Sequence, residues 1–177
     1  MSVRKLTFCA VAVALATVTN QITVFSFPFG GSVTLCSMLF IVLPGWFFGP
    51  VWGGCCGLLY GVLNFLFKPW FASFPQFLFD YIFAFSIMGV AGFFRHRKNG
   101  LLIGYSAAVV ARWLMASIAG LIWVSLGSVA WEGWSPLPYS MAYNATYIFA
   151  EGIVTVILLL IPSVRKVLER LRTSLKE

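Results

Sequence analysis

Apolar residues run along this chain in six blocks, separated by short breaks rich in proline, glycine or basic residues. The blocks cover about Leu6 to Phe25, Thr34 to Phe48, Val51 to Phe67, Gln76 to Phe94, Leu101 to Leu126 and Pro138 to Ile161. A membrane-crossing helix takes roughly 20 residues, so six fit into 177 residues only when the loops are short. The pattern predicts an all-α integral membrane protein, a compact bundle of six transmembrane helices forming a single domain over residues 1–177. Beyond Pro162, Val164, Val167, Leu168, Leu171 and Leu175 share one helix face among arginines and lysines. Residues 163–177 are therefore expected to form a cytoplasmic amphipathic helix that lies on the inner leaflet or docks on a partner.

The breaks and small residues refine this picture. Residues 25–35, FSFPFGGSVTL, hold a proline and adjacent glycines and predict a loop or re-entrant turn. Gly49 and Pro50 predict a sharp, uncharged turn between the second and third spans. The third span carries Gly53, Gly57 and Gly61 at four-residue intervals, a stripe that lets helix backbones meet. The first span carries Ala10, Ala12, Ala14 and Ala16, which make two overlapping small-residue pairs for internal packing or contact with another subunit. Its basic start and the A-x-A at Ala14 to Ala16 also resemble a signal peptide, but apolar character resumes at Ile22, and an uncleaved first span is the preferred reading.

Composition supports the membrane reading: 60% of residues are hydrophobic and 10% charged, with a mean hydropathy of +0.93. That excludes a soluble domain. The net charge of +7 does not indicate a nucleic-acid partner, because the basic residues cluster at span edges. Arg4 and Lys5, then Arg95, Arg97 and Lys98, then Arg165, Lys166, Arg170, Arg172 and Lys176 fall on one side of a six-span topology. The opposite loops carry Lys68 and Glu132, so both termini are expected to be cytoplasmic. Cys9, Cys36, Cys55 and Cys56 have no C-x-x-C spacing and read as small packing residues.

Three ionisable side chains are left at membrane depth: Asp80, Arg112 and Glu151. Each costs at least about 2.5 kcal/mol there, so each marks a functional site or half of a buried pair. Arg112 and Glu151 are expected near the same depth, where pairing is one reading; Asp80 lies nearer the outer end of its span. His96 is the only histidine and no G-x-x-x-x-G-K-[ST] loop occurs, so zinc chemistry, a histidine-based catalytic site and ATP hydrolysis by this chain alone are not supported. No cofactor and no enzyme activity are expected.

Toward the outer half, Trp70, Asp80, Tyr81, Gly120, Trp123, Trp131, Trp134, Tyr139, Tyr143 and Asn144 gather aromatic faces around one carboxylate and one amide. Such a set suits a flat cationic ligand, with roughly 0.5 to 2 kcal/mol from each cation-π contact. The alternative for the tryptophans is an interfacial aromatic belt. Two rival functions stand beside ligand capture: a self-contained ion-coupled transporter or channel using Asp80, Arg112 and Glu151, and a scaffold using the small-residue faces.

The segments GGSVTLCSML (30–39), PQFLFDYIFAFSIMGVAGFF (75–94) and EGWSPLPYSMAYNATYI (132–148) resemble the thiamine-specific substrate-binding component (ThiT type) of energy-coupling factor transporters. The resemblance spans nearly the whole chain. It implies a multi-pass protein of the bacterial cell membrane that binds thiamine and joins a transmembrane coupling subunit and two cytoplasmic ATPases. It matches Asp80 and Tyr81 to an acidic-aromatic pair, Tyr139 and Asn144 to a tyrosine and an asparagine, Gly120 to a pocket glycine and Trp70 to an aromatic pocket position. It also implies that the Ala10 and Ala14 face meets the coupling subunit. Ala116 stands where the family pattern has a histidine, and the Gly49-Pro50 turn lacks the usual basic residues. A thiamine precursor or another cationic heterocycle is the alternative ligand.

Overall fold

The computed structural model describes residues 3–28, 31–127 and 131–175. Phe29 and Gly30 of the expected turn, residues 128–130 of the loop before the last span, and Lys176 and Glu177 lie outside the described residues. In chain order the elements are α1 (Val3–Gln21), β1 (Thr23–Ser26), β2 (Ser32–Thr34), α2 (Ser37–Phe48), α3 (Pro50–Phe67), α4 (Phe74–Phe94), α5 (Gly100–Ser125), α6 (Pro136–Leu160) and α7 (Pro162–Ser174). Five of these helices, α1, α3, α4, α5 and α6, are long and apolar enough to cross a membrane. The molecule is a helical membrane protein.

The second expected span is the exception. Helix α2 has 12 residues, about 18 Å at 1.5 Å per residue, short of the roughly 30 Å hydrocarbon core. The expected helix start at Thr34 is replaced by strand β2, which pairs antiparallel with β1, Thr23 opposite Thr34 and Ser26 opposite Ser32. Val33 and Thr34 are buried in the bundle. Extended backbone at this depth is tolerated where protein surrounds it and a side chain satisfies its polar groups. Helix α1 stops at Gln21, and the chain enters strand β1 at Thr23 instead of lengthening the helix.

Helices α5 and α6 pack along each other, α4 lies against α2, α3 and α5, and α1 covers α2 and α3. The glycine stripe of α3 brings it against α4. A Cβ at Gly57 would stand 2.1 Å from the Phe85 carbonyl oxygen, and one at Gly61 would stand 2.1 Å from that of Tyr81. No larger residue fits either position without separating the helices. On α1 the two alanine pairs divide. Ala12 and Ala16 are buried, whereas Ala10 and Ala14 face outward. Helix α7 packs on its own bundle through Val164, Leu168 and Leu175, leaving Val167 and Leu171 exposed.

Candidate functional site

Helix α4 is not uniformly α-helical, and the irregularity lies at the conspicuous carboxylate. An α-turn over Phe74–Phe77 passes into a π-helical turn, Leu78–Phe83, then a short α-turn and a 3-10 stretch, Ile87–Phe94. Asp80 and Tyr81 sit in the π turn. The wider turn offsets the side chains that follow from those that precede it, and such bulges recur at functional sites. Ser73 caps the helix start by accepting from the Gln76 N–H at 3.3 Å. The side chain of Gln76 then donates to Asp80 Oδ2 at 3.0 Å and accepts from the Ala72 N–H at 3.1 Å.

A cavity of about 320 Å³ opens between α1, β2, α3, α4, α5 and α6 at the hairpin end of the bundle. That volume is at the lower end of the range for small-molecule sites. Trp70, Asp80, Tyr81, Gly120, Trp123, Tyr139, Tyr143 and Asn144 all line it. Trp134 does not. It is 47% exposed and stands edge-on to Trp131, whose own ring meets Tyr139 at 5.1 Å.

The aromatic walls are mutually supported. Trp70 and Trp123 are 5.9 Å apart, and Tyr139 stacks on Tyr143 at 5.9 Å with their planes 20° apart. Tyr81 has a positioning role. Its hydroxyl donates to the Lys68 carbonyl at 2.9 Å and accepts from the Trp70 N–H at 2.9 Å, which fixes the segment carrying Trp70. Tyr143 acts similarly across the cavity mouth, its hydroxyl accepting from the Gly31 N–H at 3.0 Å and donating to the Pro28 carbonyl.

Gly120 makes room for a polar cluster. A Cβ there would fall 2.3 Å from Ser140 Oγ and 3.0 Å from Asn144 Nδ2. Ser140 donates to the Ser117 carbonyl at 2.7 Å, tying α6 to α5. Asn144 donates to the Ser140 carbonyl at 2.9 Å, and its Oδ1 accepts from the Tyr147 hydroxyl. The amide is therefore already oriented within the wall, with one acceptor lone pair remaining at Oδ1.

Glu151 forms the buried end of the cavity, and its partner is not Arg112. It accepts from Thr34 Oγ1 at 2.7 Å and the Thr34 N–H at 3.1 Å, and from Ser37 Oγ and the Met38 N–H, both at 3.1 Å. These donors surround the start of α2, where unpaired N–H groups and the helix dipole favour an anion. Among the described residues Arg112 makes no ion pair with Glu151; its guanidinium lies over the Phe85 ring at 4.7 Å. Arg112 lines the same cavity as Asp80.

At the mouth, Lys68 donates to the Asn20 carbonyl at 2.6 Å, and Asn20 donates to Asn64 Oδ1 at 2.8 Å. Burial holds the Lys68 ammonium below the ordinary lysine pKa, against an opposing pull from Glu151.

The family model for the thiamine transporter protein (Thia_YuaJ) matches residues 6–169. The chain belongs to this family. The thiamine transporter ThiT of Bacillus subtilis (strain 168) is 34% identical over 146 residues, covering 76% of each chain. The solved structure of ThiT from Listeria monocytogenes has a TM-score of 0.74 at 24% identity, covering 90% of this chain and 96% of that one. A solved S component of a bacterial ECF transporter has a TM-score of 0.62 at 20% identity, covering 98% of both chains. These two structures share the fold. Membership in a transporter family separates the chain from enzymes.

For this thiamine transporter family member, sequence reasoning missed Gln76, Ser140, Tyr147 and the Asn20, Asn64 and Lys68 cluster as lining residues, and left the partner of Glu151 open between Arg112 and others, where the structure gives Thr34, Ser37 and Met38. Gln76 was detectable in principle, since it lies four residues before Asp80 on one helix. The Thr34 and Ser37 contacts carried no local signal, because they join residues more than a hundred positions apart.

Proposed function

We propose that this protein is the thiamine-binding S component of an energy-coupling factor importer in a bacterial cell membrane. Membership in the thiamine transporter family supports this reading, and the single observation that carries the site is the aromatic-walled cavity with Asp80 beside it. In this reading Asp80 neutralises the thiazolium charge, held in place by Gln76, while Trp70, Trp123, Tyr139 and Tyr143 flank the rings. Tyr81 acts by holding Trp70, and Asn144 presents its remaining acceptor to the pyrimidine edge. Trp134 buttresses the wall through Trp131. Thiamine brings one fixed positive charge into a site that also holds Arg112, so the balance is set by how closely each carboxylate approaches the ligand.

The chain crosses the membrane six times in this reading, with β2 and α2 together making the second crossing and both termini cytoplasmic. The placement of basic residues in the α4–α5 turn and on α7 supports that orientation. A transmembrane coupling subunit meets the Ala10 and Ala14 face of α1, and two cytoplasmic ATPases supply the energy, since the chain has no phosphate-binding loop of its own. Ala116 lines the cavity where the family pattern places a histidine, which favours a related cationic heterocycle as the second reading of the ligand.

The test is a thiamine titration of the detergent-purified protein, followed by tryptophan fluorescence. Saturable quenching at nanomolar ligand supports thiamine capture. No response at high micromolar thiamine, with saturation by another cationic heterocycle, moves the assignment to that ligand. Substrate flux through liposomes holding this chain alone would favour the self-contained transporter.

A further inference from the structure

We propose that a recess at the basic end of the bundle binds the phosphate of an anionic phospholipid headgroup. The recess has a volume of about 200 Å³ and is lined by Lys5, Phe47, Phe48, Arg95, Arg172 and Leu175. Three cations and three apolar side chains form it, with no carboxylate among them. Its parts come from the first turn of α1, the end of α2, the residue after α4 and the end of α7. They meet where the apolar spans end, at the depth of headgroups and the first methylenes of acyl chains.

Among the described residues none of the three cations makes an ion pair. Lys5 lies 5.9 Å from the centroid of the Phe48 ring. Arg95 donates from Nε to His96 Nε2 at 2.8 Å. Arg172 donates to the Arg95 carbonyl, stacks over Trp46 at 4.5 Å, and leaves its buried Nε without an acceptor. Glu169, one turn earlier on α7, lines the adjoining recess and not this one. Burial and the nearby Arg95 charge hold the Arg172 pKa below the ordinary arginine value, against an opposing pull from Glu169. Positive charge gathered in a recess whose lining holds no carboxylate, with the Arg172 guanidinium partly buried, favours an added phosphate through charge-assisted hydrogen bonds. Phe47, Phe48 and Leu175 offer the apolar border that a lipid provides for and a free ion does not.

The experiment is native mass spectrometry of the full chain purified in detergent and equilibrated with equal amounts of phosphatidylglycerol and phosphatidylcholine. Retention of one phosphatidylglycerol in preference to phosphatidylcholine is the expected result. Lys5→Gln and Arg172→Gln should each lower that preference about fivefold, while the charge-keeping Lys5→Arg and Arg172→Lys preserve it. Arg170→Gln, exposed on the same helix, should leave it unchanged. Lys5→Gln alters no hydrogen bond of the bundle and keeps the test valid if Arg172→Gln fails to fold. Equal retention of the two lipids by the unaltered protein, or a preference indifferent to Lys5→Gln, would overturn the site. Displacement of phosphatidylglycerol by millimolar inorganic phosphate would overturn the lipid assignment in favour of free phosphate.

Discussion

Glu151 accepts hydrogen bonds from both the hydroxyl and the N–H of Thr34, at 2.7 and 3.1 Å. This contact joins the middle of α6 to the extended segment that enters α2, and closes the buried end of the cavity. It explains how a short helix preceded by a strand is held at membrane depth. The carboxylate accepts from the Met38 N–H in the first turn of α2, and the helix start stabilises the buried charge in return.

Glu151→Gln tests that arrangement with almost no change in shape. The new amide nitrogen presents hydrogens to donors from Thr34 or from Ser37 and Met38, leaving buried donors unsatisfied. The expected cost is about 2 kcal/mol, read as a lower unfolding temperature in detergent and a less ordered cavity. A variant that melts with the unaltered protein would show that the carboxylate is not what anchors α2.

Asp80→Asn removes the negative charge while retaining the hydrogen bond from Gln76 through its remaining carbonyl. If Asp80 offsets the ligand's positive charge, thiamine affinity should fall at least about tenfold, in line with about 1.5 to 3 kcal/mol for a hydrogen bond to a charged group. Gln76→Leu should cost less, because the charge stays and only its orientation loosens. Titration by tryptophan fluorescence separates the two, and equal affinity for Asp80→Asn and the unaltered chain would remove Asp80 from the site.

How far the sequence discloses this protein depends on the range of the interaction concerned. Helices α3, α5 and α6 are legible because long apolar runs with proline or glycine at their ends specify them locally. The cavity wall is largely legible too, since Asp80, Tyr139 and Asn144 are polar groups with no reason to sit in apolar spans otherwise. The π turn at Leu78–Phe83 is not, because nothing in its residues departs from α-helical preference and its neighbours are the glycines of α3, far along the chain. The late start of α2 is hidden for the same reason, depending as it does on Glu151. Trp123 and Trp134 look alike in sequence, yet only Trp123 turns inward, because aromatic character alone does not report which way a ring at a helix end points.

Gly120 gives a test of packing at the cavity wall. Gly120→Ala would force a Cβ to within 2.3 Å of Ser140 Oγ, so Ser140 and Asn144 must shift and ligand affinity should fall by about tenfold. Ser140→Ala in the same chain removes the nearest clashing atom. Part of the loss should return in the double variant, a coupling that two independent sites would not produce. Additive losses in ligand titrations would show that Gly120 acts through something other than contact with Ser140.

If the outward face of α1 meets a coupling subunit, changing it should spare capture and impair transport. Ala12 and Ala16 already serve the bundle interior, whereas Ala10 and Ala14 leave a shallow exposed strip suited to close approach by another helix. Replacing both exposed alanines by leucine adds bulk there without entering the core, so the isolated protein should fold and bind ligand within about twofold of the unaltered chain. Uptake in cells or liposomes containing the coupling subunit and ATPases should fall at least about tenfold, because the two helices can no longer reach contact distance. Uptake at the unaltered rate would place the coupling surface elsewhere. Lost ligand binding would instead show that this face supports the cavity itself.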